Sequence, residues 1–408
     1  MTEVLHCWIE GEPIGRFERD TNGTVTFAYE TTGERIVSLS LPRNGATKRS
    51  AANRFLAALI PERPAARESL KEYSGAKSTS TWHLLEAAGS DVAGGLVLLP
   101  DEALPTRESH TPILTWDDAI ASRIIEVRKV PSAAYISDIA PVRYSLAGAQ
   151  GKFALGLIDG NWFWPDAAHP STHIFKPSAE QHPGLDELEA ETLRLAGLAG
   201  LEVPHAEVME FVRQPTFAIE RFDRVTGPDG FTSRLHAEDM TQALGESVER
   251  KYGVGATAVI RALRQHSGDD ELGYAFFRQL VFNVTVGNAD AHAKNYTILH
   301  GIDAHGAATM RMSPLYDAIP LGLLPGGYSM ELSMKIGHAR HFNAVTPDIW
   351  RAAARRAGLD EDRVSALVRE TAVGVLEHLD GTIAGTERAR NAPEKFDDIR
   401  RSAERNSA

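Results

Sequence analysis

The segment Gly287-Asn288-Ala289-Asp290-Ala291-His292-Ala293-Lys294-Asn295 places an aspartate, a histidine, a lysine and two asparagines directly after an apolar stretch containing Phe276, Phe277, Leu280, Val281 and Val284. Phosphoryl transfer uses such a set. One carboxylate accepts the proton of the attacking hydroxyl, and an amide oxygen a few residues on holds a metal ion. Asp290 and Asn295 are five positions apart, the spacing of the D-x-x-x-x-N kinase pattern, although the arginine that precedes the aspartate in that pattern is missing. A polar loop that only caps a helix has the same composition, so spacing alone leaves both readings open.

Four further groups bear on the choice. Asp317, in Ser313-Pro314-Leu315-Tyr316-Asp317, lies 27 residues after Asp290. It is a candidate second carboxylate for a magnesium ion shared with phosphates, or an aspartate that simply ends a strand. Lys176, in His173-Ile174-Phe175-Lys176-Pro177, is a lysine within an apolar strand. Its ammonium needs a phosphate or a glutamate, and Glu189 or Glu191 on the next helix could serve, Glu189 being preferred. Ser145-Leu146-Ala147-Gly148-Ala149-Gln150-Gly151-Lys152 is a small-residue turn whose backbone N–H groups can approach an anion, yet it matches no Walker A pattern. Glu220-Arg221-Phe222-Asp223-Arg224 ends a strand and could offer backbone groups to a nucleobase edge. Each feature has an ordinary structural explanation. Their order, from small-residue loop through strand lysine, helix glutamate and strand end to D-x-x-x-x-N and a second aspartate, is the order a two-lobed kinase needs.

The elements that must position these residues follow from the rest of the chain. The 408 residues suffice for two or three structural units and a large core. The 43 basic and 55 acidic residues give a formal charge of −12, which argues against nonspecific nucleic-acid binding by the whole surface. Cys7 is the single cysteine, so an internal disulfide and a cysteine zinc site are excluded and a reducing cytoplasm is expected. The first residues lack a secretory pattern, and no run approaches the length of a membrane helix.

The first ~45 residues read as strands, with Asn22-Gly23 as a hairpin turn. Helices are expected at about 48–60, ended by Pro61 and Pro64, and at about 80–88. Ile113–Val130 reads as a helix, Trp162–Trp164 and His173–Lys176 as strands, Leu185–Leu198 as a helix and Pro215–Phe222 as a strand. Helices then dominate, at about 238–245, 256–266, 270–287, 347–357 and 361–378. Strands followed by helices predict an α+β chain with two lobes. The expected domains are 1–105, 106–224 and 225–408. His236, Glu238 and Asp239 read as helix capping or support of the site.

Taken together, these motifs resemble the HipA family of bacterial serine/threonine kinases, the toxin half of HipBA toxin–antitoxin modules. The resemblance runs through 145–317 in family order, and residues 1–105 resemble the family's small coupling domain. It implies a protein-kinase-like fold with an extra N-terminal α/β subdomain and a mostly helical C-terminal lobe. It implies that Asp290 is catalytic and that Asn295 and Asp317 hold Mg²⁺. Lys176 would contact the phosphates of ATP, with Ala147, Gly148, Ala149, Gln150, Gly151 and Lys152 over them. Glu220, Arg221 and Phe222 would meet the adenine, and His292, Ala293, Lys294 and Tyr316 would lie against the nucleotide. Ser145 matches the family's autophosphorylated serine. Gly151 stands where a larger polar residue is expected, which suggests a looser loop. Leu321–Met334, rich in glycine, lies where an activation segment would lie. The implied partners are a small HipB-like DNA-binding antitoxin and a translation component such as an aminoacyl-tRNA synthetase. A catalytically idle corepressor that bridges antitoxin on DNA, and a small-molecule kinase, are the alternatives.

Overall fold

The computed structural model describes the chain except residues 1, 46–49, 107–109, 132–141, 148–149 and 327. It mixes sheets and helices as expected of an α+β chain and divides into two compact units. One comprises Met1–Glu180, Met209–Val248 and Leu299–Thr309; the other comprises Gln181–Val208, Glu249–Ile298 and Met310–Ala408.

The first unit is built on sheets. Val25–Tyr29, Glu12–Arg19, Glu3–Ile9 and Leu96–Leu99 are neighbours in that order, each pair antiparallel. The Asn22-Gly23 turn forms as its composition predicts. Gly23 takes φ +82°, and Asp20 Oδ1 accepts the N–H groups of Asn22 and Thr24. Alternation buries Leu5, Cys7 and Phe17 on one face, where Phe55 and Leu56 of the helix Ala51–Ala57 meet them. Pro61 and Pro64 were read as helix breakers, but Pro64 opens a further helix, Pro64–Ser74. Its fixed φ suits the first helical position, where no backbone N–H is needed.

A second sheet in the same unit carries Lys176 and Glu220. Ile113–Leu114, Asn161–Trp164, Phe153–Ile158, His173–Lys176 and Gln214–Glu220 are successive neighbours. Register sets Lys176 opposite Phe217 and His173 opposite Glu220. The helix expected from Ile113 starts only at Asp117, because Ile113–Leu114 pairs with Trp164 and Phe163 instead.

The second unit is helical. Glu361–His378 packs against Glu271–Thr285, Leu185–Leu198, Pro347–Ala357 and Pro393–Ser407. The core includes Phe276, Phe277, Leu280, Val281 and Trp350, all essentially inaccessible. The terminal helix Pro393–Ser407 went unread in the sequence, since its composition is strongly polar. It is anchored by buried Phe396 and Ile399 and by a hydrogen bond from Trp350 Nε1 to Asn406 Oδ1. Arg351 and Arg355 pair with Asp362 and Glu361 at the surface.

Candidate active site

The helix Glu271–Thr285 is buried on nearly all sides, so the polar loop that follows hangs from a rigid support. Gly287, at φ +75°, turns the chain out of the helix, and a Cβ there would press on the Phe342 ring at 3.3 Å. Asn288 Nδ2 bonds Asn283 Oδ1 at 2.8 Å and reaches the Asp317 carbonyl at 3.2 Å. Asp317 has φ +55°, a left-handed conformation that costs a side-chain-bearing residue energy, although Asp tolerates it better than most. One buried amide thus ties the loop to the strained turn that carries the second aspartate.

The three residues expected around a cation come together in this unit. Asn295 Nδ2 donates to Asp317 Oδ2 at 2.8 Å. Asn295 Oδ1 is buried with no hydrogen-bond partner, which is costly unless a ligand completes it. Asp290 stands exposed in a run that is otherwise buried. Partial desolvation of its carboxyl raises its pKa, the charge of His292 draws it down and Asp317 raises it again; the Tyr252 hydroxyl donates to it. Burial and the positive charge of Lys251 push the His292 pKa below its ordinary value, against the pull of Asp290 and Asp317. Its Nδ1 is buried without a hydrogen-bond partner.

Two carboxylates near each other and an orphaned amide oxygen fit a hard divalent cation, which takes oxygen ligands and prefers phosphates to complete its shell. Among the described residues no group of three or more His, Cys, Asp or Glu forms an all-protein metal cage. Ala293 and Lys294 are buried in the short turn Ala293–Asn295. The Tyr316 hydroxyl donates to the Lys294 carbonyl at 2.8 Å, bracing that turn.

Lys251 and Tyr252 escaped the sequence reading. Lys251 is buried, its ammonium 5.2 Å from the Tyr252 ring centroid, and Tyr252 meets the His292 ring edge-on at 5.2 Å. They come from the 3-10 turn Val248–Gly253, far from Asp290 in number, and no spacing rule points to them.

The strand-rich unit holds the other expected residues. Lys176 is buried, with Nζ 5.5 Å from the Phe217 ring centroid. Ser145 is fully buried and its Oγ donates to the Leu59 carbonyl at 3.0 Å. Ala147, Gln150 and Lys152 are half-buried, while Gly148 and Ala149 lie outside the described residues. Gly151 is no loose point. A Cβ there would lie 2.8 Å from Pro131 Cα, so the missing side chain lets two backbone segments touch.

Glu220 is exposed, with Oε1 4.0 Å from His173 Nε2, and Phe222 is half-buried. Arg221, expected at the nucleotide, is committed elsewhere. Its guanidinium bonds Asp223, Ser171 and the Val92 carbonyl, and its N–H bonds the Thr172 carbonyl. Asp239 forms a capping box with Gln242. Glu238 accepts from Ser38 and the Leu39 N–H. In the helical unit Glu191 bonds Arg194, whereas Glu189 is completely buried.

Residues 144–379 match the HipA-like C-terminal domain, and residues 5–99 match the HipA N-terminal domain. The chain belongs to the HipA family. The chain is 33% identical over 402 residues to Y4mE of Sinorhizobium fredii, a protein named as a kinase, covering 93% of this chain and 92% of that one. It is 28% identical to the serine/threonine-protein kinase toxin HipA of Shewanella oneidensis, over 74% of this chain and 70% of the other. A chain of the Shewanella oneidensis complex of HipA, HipB and operator DNA matches its fold with a TM-score of 0.81 at 23% identity, covering 98% and 97% of the two chains. Among the described residues of this HipA-family protein, no helix is long and apolar enough to cross a membrane.

Proposed function

We propose that the protein is an ATP- and Mg²⁺-dependent serine/threonine protein kinase of two lobes, acting in the cytoplasm as the toxin of a toxin–antitoxin pair. The observation that carries this reading is the meeting of Asn295 and Asp317 at 2.8 Å, with Asp290 beside them and Asn295 Oδ1 unsatisfied. When bound, Mg-ATP supplies the transferable phosphoryl group and the cation that neutralises its charge.

Asp290 accepts the proton of the substrate hydroxyl. Asn295 and Asp317 offer oxygens to the cation. Lys176 and the turn Ala147–Lys152 hold phosphates, and Glu220 and Phe222 meet the base. His292, Ala293, Lys294 and Tyr316 line the nucleotide side. Lys251 adds positive charge near Asp290, and the Tyr252 hydroxyl must yield Asp290 to the incoming hydroxyl. Ser145 is the autophosphorylation site. A phosphate there adds about −1.5 to −2 charge and removes the proton that Ser145 Oγ donates to Leu59, so the loop leaves its seat and activity stops. A small DNA-binding antitoxin of the HipB kind is the proposed partner, because the Shewanella relative is found with HipB and operator DNA. A translation component such as an aminoacyl-tRNA synthetase is the proposed target, with growth arrest as the outcome.

Labelled ATP with a cell lysate tests the reading. A labelled protein band that disappears with Asp290→Gln supports it. Absence of transfer favours an idle corepressor, and label confined to small metabolites favours a small-molecule kinase. For Ser145, an active Ser145→Ala protein and an inactive Ser145→Asp protein are expected; equal activity of the two removes the inhibitory role.

A further inference from the structure

Asp91, Arg221, Asp223 and Arg224 are buried in the strand-rich unit, with Arg234 half-buried beside them. The Asp91 carboxylate receives Arg224 at 2.9 Å, Arg234 at 3.4 Å, Arg221 at 3.6 Å, and the hydroxyl of Ser171 at 2.5 Å. Asp223 takes a two-pronged bond from Arg221 at 2.9 and 2.7 Å, and the Gly94 N–H at 2.6 Å. Burial alone would raise the pKa of both carboxyls; the surrounding arginines outweigh it and hold both well below the usual carboxylate range. Arginine forks on carboxylates are directional as well as strong, so the cluster is a rigid clamp rather than a ligand site.

What the clamp grips has functional meaning. On one side the Asp91 carbonyl accepts the Ser145 N–H at 3.1 Å, and Asp91 and Tyr144 form an isolated parallel bridge. Ser90 Oγ bonds the Arg143 carbonyl at 2.9 Å, and Val142 N–H bonds the Tyr73 carbonyl at 3.0 Å. The root of the Ser145–Lys152 turn is therefore stapled to the N-terminal domain. On the other side Arg221 and Arg224 directly follow the strand Gln214–Glu220, and they bond the Val92 and Gly94 carbonyls at 2.8 and 2.9 Å. Residues 90–95 of the N-terminal domain thus stand between the turn expected over the phosphates and the strand end expected at the base.

We propose that Asp91 is a positioning residue for nucleotide binding: its clamp fixes the spacing between the root of the phosphate turn at Tyr144–Ser145 and the strand end at Glu220. The functional half of this proposal rests on the kinase reading; the mechanical half does not. Asp91 touches no reacting atom, so its loss acts on nucleotide affinity and loop order rather than on the chemical step.

The test uses the full chain with Asp91→Asn and Ser171→Ala. It reads hydrogen exchange across 142–146 and across the strand Glu3–Ile9, with titration of a fluorescent ATP analogue. Losing a charge-assisted anchor is worth about tenfold. In Asp91→Asn we expect about tenfold faster exchange at 142–146, an unchanged strand, about tenfold weaker nucleotide binding, and turnover at saturating ATP within about twofold. Ser171→Ala, which removes one donor to Asp91, shifts the same readouts by about threefold. Uniform loss of protection over the whole unit overturns the proposal, as does unchanged exchange at 142–146 in a folded Asp91→Asn protein. If Asp91→Asn does not fold, unchanged exchange and affinity in folded Ser171→Ala overturn it. Wild-type protein that binds no nucleotide, with 142–146 still loosened by Asp91→Asn, defeats the kinase reading and supports the clamp.

Discussion

Two polar clusters in this molecule obey opposite rules. Around Asp91 and Asp223, three arginines surround two carboxylates, and each carboxylate oxygen has a donor. Around Asp290 and Asp317, two carboxylates share a site with Lys251 and His292. Asp317 pushes the Asp290 pKa up, and Asn295 Oδ1 is left buried without a hydrogen-bond partner. In the first cluster every carboxylate oxygen is filled, although Arg224 Nε and Arg234 Nε are buried without a hydrogen-bond partner, and the bonds hold backbone segments together. An unsatisfied cluster keeps a place for something to arrive. Both are rich in charged residues, and they differ in whether the acceptor oxygens are filled.

The contrast can be broken experimentally. Asp290→Asn should lower phosphoryl transfer by about 10²–10⁴-fold while leaving thermal stability unchanged or slightly higher, because it removes a charge beside Asp317. Parallel assays of labelled-phosphate transfer and thermal melting check this; a marked fall in melting temperature would place Asp290 in the structural class.

Asp223→Ala should do the reverse at the other cluster. It strands Arg221 and Arg224 in the interior and costs about 3–5 kcal/mol, read as a shift in the denaturant midpoint. A loss below about 1 kcal/mol means the clamp is not mechanical.

A third cluster sharpens the comparison. His236 is buried, its Nε2 bonded to the Val37 carbonyl, and its pKa is lowered to about 3 by burial and by neighbouring His300. The unfolded chain takes up a proton near pH 6.5 that the folded state refuses. Stability is therefore complete above about pH 6.5 and falls toward pH 3 by at most about 1.4 kcal/mol per pH unit. Urea titrations at pH 7.5, 6 and 5 should show this slope, with a shallower one in His236→Gln. Smallest of all, Glu191→Gln opens the exposed pair with Arg194 and should change stability by less than about 0.5 kcal/mol.

Much of the candidate site was legible before folding. Asp290 and Asn295 share one loop, so five residues of spacing limit where each can reach, and the glycine after an apolar helix marks where that loop begins. The burial of Lys176 was legible because it sits in an apolar strand. Arg221 was expected at a nucleotide edge from its neighbours Glu220 and Phe222; its guanidinium bonds nearby Asp223, and also Val92 and Ser171, which lie far away in number. Lys251 and Tyr252 were invisible for the same reason. Pro64 shows a local limit, since proline both ends and begins helices and only the packing of Leu70 and its neighbours decides which.

The amino-acid order by itself determined the helices and strands with strong periodicity, the polar loop after Thr285 and the pair Asp290–Asn295, because these rest on interactions between residues close along the chain. Only the tertiary structure decided which charges neutralise one another. Asp91 acquires its arginines, and Asn295 its aspartate, through contacts between distant segments, and hydrogen bonds of about 3 Å depend on packing that no local pattern encodes.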